Sequence, residues 1–306
     1  MGGVLVGFAI IGFVILVGYV VGRIGIGGPG AQGTLNRIAF FVTNPALLFT
    51  VLAKADLHII FSSFVAIALI SAVVASLVFV LAARFVFRLK VSEATIGALA
   101  SGYVNANNIG LPVSVYVLGS ASFVAPVLLL QLLVFAPVAL TVLDVSTSGR
   151  ASIGSILSQP VRNPMIIASV LGVIVAATGL ALPDVVFKPF ELLGGAAVPL
   201  VLMAFGMSLH GSRPLRAGSG RKQILLAAAL KSVVMPVVAY LCAHFVFGLS
   251  GEHVFAAVAL AALPAAQNVY NFANRYDTGL VLARDSVLLT TVLAVPVLIV
   301  IAALLA

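Results

Sequence analysis

Two short stretches hold most of the polar chemistry of this chain. Tyr103 to Pro112 reads YVNANNIGLP, with Asn105, Asn107 and Asn108 close together, and Pro264 to Asn271 reads PAAQNVYN, with Gln267, Asn268, Tyr270 and Asn271. A carboxamide offers two N–H donors without carrying charge, so a cluster of them can hold a carboxylate with no desolvated counter-ion. Gly110, Pro112 and Pro264 stand among these amides, and each weakens or removes bonds of a helical ladder. Lys231, within ALKSVVMP, is a cation set in apolar sequence and so a candidate counter-charge or coupling site; the bland reading is that it snorkels to the interface. No Ser-His-Asp set, carboxylate pair or zinc-ligand spacing accompanies them, so the chemistry expected is binding and not catalysis. No cofactor is expected.

The surroundings say where such a site would lie. Of 306 residues 62% are hydrophobic and 8% charged, and the mean hydropathy is +1.27. That composition, with apolar runs of about twenty residues, indicates an all-α integral membrane protein. Val4 to Val21 lacks a basic leader and a small-residue cleavage site, and reads as a retained span. The net charge of +8 is spread through short loops, which excludes the basic patch of a nucleic-acid binder. Cys242 is the sole cysteine, which excludes an internal disulfide. Gly25 to Gly30 satisfies G-x-G-x-x-G but follows an apolar helix instead of a strand, and His58, His210, His244 and His253 lack ligand spacing, so neither a dinucleotide nor a metal is implied.

Splitting the chain at charges and turn residues predicts ten spans, at roughly 4–22, 35–54, 60–88, 93–118, 122–143, 163–180, 190–210, 222–247, 252–278 and 281–304. The loops after odd-numbered spans carry thirteen of the sixteen Lys and Arg residues, which puts those loops in the cytoplasm and both termini outside. Residues 144–162 read as a short cytoplasmic linker between repeats at 1–143 and 163–306. Sliding one repeat on the other aligns Asn108 to Gly119 with Asn268 to Gly279 at an offset of 160, and Pro45 and Pro199 both interrupt the second span of their repeat. An odd number of spans per repeat inverts the second, the architecture of many secondary transporters. The fourth and ninth spans are expected to be broken at their amides, near the membrane midplane. Helix glue and kink repair are the competing role for those amides.

Asn44 to Phe49 (NPALLF), Asn105 to Pro112, Arg162-Asn163-Pro164 and Pro264 to Tyr270 resemble the auxin efflux carrier family of plant carriers and bacterial permeases, along the whole chain. The resemblance implies a bile-acid-transporter-like fold of two inverted five-helix repeats with the fourth and ninth helices crossing. It implies a scaffold from spans 1, 2, 6 and 7, a transport domain from spans 3–5 and 8–10, and a homodimer. It adds Asn44 to the substrate-binding candidates and Pro45 to the helix-breaking ones. The implied activity is transport of small organic anions by alternating access, with malate, malonate or indole carboxylates as candidates; a channel or a sensor on the same fold is the alternative. The short central loop departs from the plant carriers, so their phosphorylation there does not carry over. Acidic residues lie near span ends, which leaves no carboxylate proton relay, and sequence alone does not rank Asn105 against Asn108.

Overall fold

The computed structural model describes residues 2–54, 63–148, 164–210 and 220–306. Arg162, Asn163, His58 and most of the expected 144–162 linker lie outside the described residues.

Apolar sequence with no water to satisfy its backbone must form helices, and this chain does so. In order they are α1 (Gly2–Ile24), α2 (Ala31–Ala53), α3 (Ser63–Phe87), α4 (Val91–Gly102), α5 (Leu111–Tyr116), α6 (Ala121–Thr147), α7 (Pro164–Thr178), α8 (Asp184–Met207), α9 (Arg221–Val246), α10 (Glu252–Ala261), α11 (Gln267–Arg275) and α12 (Leu280–Leu305). Six of these, α2, α3, α6, α8, α9 and α12, are long and apolar enough to cross a membrane. The chain is thus a multi-pass integral membrane protein. Asp144, expected to open the linker, is still helical within α6.

Two groups of helices pack chiefly among themselves. In one, α1 lies on the second half of α8, and α2 lies between α7 and α8. Glycine lets α1 and α8 approach: a Cβ on Gly206 would collide with the Ile15 carbonyl, and one on Gly18 with the Met203 carbonyl. Such close approach is how helices associate where lipid supplies no hydrophobic drive. In the other group α3 packs on α4 and α9, α9 on α10, and α12 on α9, α10 and α11.

Local features recur at the sequence offset. The π turns Ala83–Phe87 and Cys242–Val246 are each followed by a left-handed residue, Arg88 (φ 55°) and Gly248 (φ 62°). Leu89 N–H reaches back to the Ala83 carbonyl (2.9 Å) as Leu249 N–H does to Ala243 (2.8 Å). Gly119 and Gly279 both take positive φ.

The second helix differs from expectation. It begins at Ala31 instead of 35, and Pro45 does not break it. A π turn over Ala39–Thr43 precedes the proline, which sits in the first turn of the segment that follows. In that position its missing N–H costs little.

Candidate functional site

Both interruptions fall where the amides cluster, and they meet. Helix α4 ends at Gly102 and α10 at Ala261, and the chain resumes helical form at Ala106 and Gln267. Between them Val104 and Ala265 form an isolated antiparallel bridge: Asn105 N–H donates to the Pro264 carbonyl (2.7 Å) and Ala266 N–H to the Tyr103 carbonyl (2.9 Å). Flanking helices satisfy what the bridge leaves over. Gln131 of α6 donates its side-chain N–H to the Val104 carbonyl (2.9 Å), and Thr290 of α12 accepts from Ala265 N–H (3.1 Å). Unwound backbone among apolar helices survives only with such partners.

Pro264 lies in the second interruption, as the sequence suggests. Gly110 and Pro112 do not lie in the first. The unwinding falls at residues 103–105, where Asn105 adopts an inverse γ-turn (φ −77°, ψ 63°), while Gly110 is helical and Pro112 is in the first turn of α5. A side chain at Gly110 would crowd Leu263 and Val124, both 3.0 Å away, so that glycine serves packing between the two interruptions.

The amides divide by environment. Asn105 is 4% exposed, and its side-chain oxygen caps the Asn108 N–H (3.1 Å), at the start of the π turn Ala106–Gly110. Asn44, fully buried on α2, donates to the Asn107 oxygen (2.9 Å), and Asn107 donates in turn to the Asn108 oxygen (2.9 Å). That chain of bonds leaves the Asn108 amide N–H groups without an acceptor among the described residues. Asn268 lies with Tyr103 along the wall of one cavity. Ala266 cannot cap α11 with its side chain, so the first amides of that helix lack a side-chain acceptor and present partial positive charge.

Asn107, Asn108, Gln267, Asn268 and Asn271 all line one open cavity of about 590 Å³, and a recess of about 50 Å³ beneath it adds Asn105. Tyr270 is absent from both, and packs against the hydrophobic core on another face of α11. Lys231 is also elsewhere: it is fully buried, donating to the Ala261 carbonyl (2.6 Å) at the end of α10 and to Met235 Sδ (3.3 Å).

The cavity holds residues that the sequence reading passed over. Gln32, Asn36, Arg37 and Phe40 of α2 line it, as does Phe272, an aromatic wall besides Tyr103, which is an aromatic candidate already in the sequence. Arg37 is exposed and has no ion-pair partner among the described residues. Its signal was the spacing 32, 36, 37 and 40, one polar-edged face of a helix, hidden because the segment was read as a loop before residue 35.

The family pattern described as "Membrane transport protein" matches residues 4–152 and 148–302. The chain belongs to that family. Its kind is the auxin-efflux-carrier type of permease that its motifs resemble. Among similar proteins is one from Rhizobium meliloti named "Putative malonate transporter", 28% identical over 92% of this chain and 89% of its own. An uncharacterized transporter of Methanothermobacter thermautotrophicus is 28% identical over 92% and 91%, and one of Methanocaldococcus jannaschii is 22% identical over 90% and 91%.

Proposed function

We propose that this transporter is a secondary carrier of small carboxylates, that it works by alternating access, and that its substrate binds at the meeting of the two interrupted helices. The observation that carries this reading is the cavity itself: Asn108, Gln267, Asn268 and Asn271 gather at two helix starts, and Arg37 lines the same cavity. Helix N-termini and amide donors favour an anion, and a planar guanidinium favours a carboxylate. The name of the Rhizobium meliloti relative supports malonate as the first candidate; malate and indole carboxylates follow from the family.

The reading includes ten spans in two inverted repeats. In support, α4 with α5 and α10 with α11 each make one interrupted span, and π turns, left-handed residues and interruptions recur about 160 positions apart. It takes α1, α2, α7 and α8 as the scaffold and the remaining helices as the body that moves, which fits how the helices group. Orientation follows the basic residues. Lys54 and Lys188, on the face expected outside, pair with Glu191 (2.7 Å) and Asp184 (3.2 Å), while Arg37, Arg84 and Arg88 on the opposite face have no such partner among the described residues. With that face in the cytoplasm, the cavity opens inward.

Uptake of labelled malonate, malate and indole-3-acetate into proteoliposomes tests the proposal. Saturable uptake of one of them is expected, falling about 10- to 100-fold in Asn108→Ala and Asn268→Ala, the range for hydrogen bonds to a charged ligand. Uptake indifferent to both substitutions would contradict the site.

A further inference from the structure

Lys231 takes no part in the cavity, yet it is the one lysine fully buried among the described residues. Both of its hydrogen bonds go to uncharged acceptors, the Ala261 carbonyl at 2.6 Å and Met235 Sδ at 3.3 Å. Ala261 is the last residue of α10, where the aligned peptide dipoles end in partial negative charge. The 2.6 Å separation is at the short end for a charge-assisted bond. Interrupted helices in carriers commonly turn such an end, with its unwound carbonyls, toward a coupling cation. Here the ammonium already occupies it.

The two halves are unequal in this respect. At the sequence offset of 160 the partner of Lys231 is Ser71, also fully buried, whose hydroxyl donates to the Ile67 carbonyl of its own helix (2.7 Å). In the first half the unwound Val104 carbonyl is met by the neutral amide of Gln131. The meeting point therefore carries one fixed charge, and it comes from the second half.

Resting on the carrier reading above, we propose that Lys231 is a built-in counter-cation that travels with the moving body, so that the protein carries its anion without a soluble coupling cation. Lys231 lies on α9, which packs on α3 and α10 and thus within the group assigned to movement. Where the interruptions cross, the charge is then positive by one when empty; Arg284 and the buried Asp285 of α12 pair with each other (2.7 Å) and add none. Loaded with malonate, a dianion at neutral pH, the crossing is negative by one. Neutralising the lysine makes the loaded crossing negative by two, which doubles the charge it carries through the field.

Malonate-for-malonate exchange in proteoliposomes clamped at a series of membrane potentials reads this out. Wild-type exchange is expected to proceed at the same rate with choline in place of sodium. The slope of log rate against voltage is expected to double in Lys231→Gln and to stay at the wild-type value in Lys231→Arg. A sodium requirement, or equal slopes in wild type and Lys231→Gln, overturns the assignment while leaving the carrier intact. Should Lys231→Gln not fold, sodium-free exchange by the wild type and the Lys231→Arg slope still decide. If wild-type protein exchanges no carboxylate at all, the carrier reading fails and this assignment with it.

Discussion

Asn105 and Asn108 are three residues apart and do different work. Asn105 is buried and uses its oxygen to cap the helix start, whereas Asn108 accepts from Asn107 and lines the cavity, its side-chain N–H groups without an acceptor among the described residues. Replacing Asn105 with Ala is expected to cost about 1 kcal/mol of stability, as for other lost caps, read as a lower melting temperature in detergent. Replacing Asn108 is expected to leave melting unchanged and weaken substrate binding. Equal melting losses in both variants would mean that Asn108 is helix glue. Arg37 carries a separate expectation: Arg37→Gln should raise KM for a carboxylate about tenfold, with Arg37→Lys recovering part of it. An unchanged KM would remove Arg37 from the site. At this scale the amides were legible, because polar side chains are rare in apolar sequence and those at membrane depth carry a reason. Tyr270 was not separable from its neighbours. Its place on α11 faces the core, a matter of helix rotation that a one-letter sequence does not display.

Elements were legible as apolar runs, and their ends less so. The interruption at residues 103–105 precedes Pro112 because a proline in the first turn of a helix is at home there, so it marks a helix start and not the break. The same reasoning applies to Pro45 in α2. What the sequence could not reveal is the side-chain support that makes an unwound segment tolerable. Gln131 and Thr290 each satisfy one backbone group of the bridge. Gln131→Leu leaves the Val104 carbonyl with the Ala106 N–H (2.8 Å) as its remaining donor, a loss of about 1 kcal/mol, and should lower the melting temperature even where uptake survives. Thermal denaturation followed by tryptophan-free methods suits the chain, which has no Trp. A stable Gln131→Leu variant would mean that the bridge does not depend on this support. Gly206→Val should also destabilise the protein, since its side chain would occupy the space of α1 backbone.

For the proposed carrier with alternating access, the question across the whole molecule is which contacts must break for the cavity to open on the other side. The Asn44–Asn107 hydrogen bond joins α2 to the start of the half-helix, and so joins the proposed scaffold to the proposed moving body. Two polar atoms beside that bond, Asn44 Oδ1 and Thr43 Oγ1, are buried without a hydrogen-bond partner among the described residues. An incompletely satisfied contact is less costly to leave, which suits a surface that slides. Cysteines at 44 and 107, in a Cys242→Ser background, should cross-link through a short bifunctional reagent and abolish uptake. Full uptake after complete cross-linking would show that the two groups do not part there. The membrane class and the two amide clusters could be read from composition and spacing; the grouping of helices depends on packing between distant segments, which no local pattern encodes.

Counterflow tests the central claim most directly. Proteoliposomes loaded with unlabelled malonate and diluted into a trace of labelled malonate, with both membrane potential and pH difference collapsed, are expected to accumulate label transiently above the external concentration. The accumulation should be absent in Asn108→Ala. Label that only equilibrates is the behaviour of a channel, and label that binds without entering is that of a receptor; either result, obtained for every carboxylate tried, would contradict a carrier with its site at the crossing.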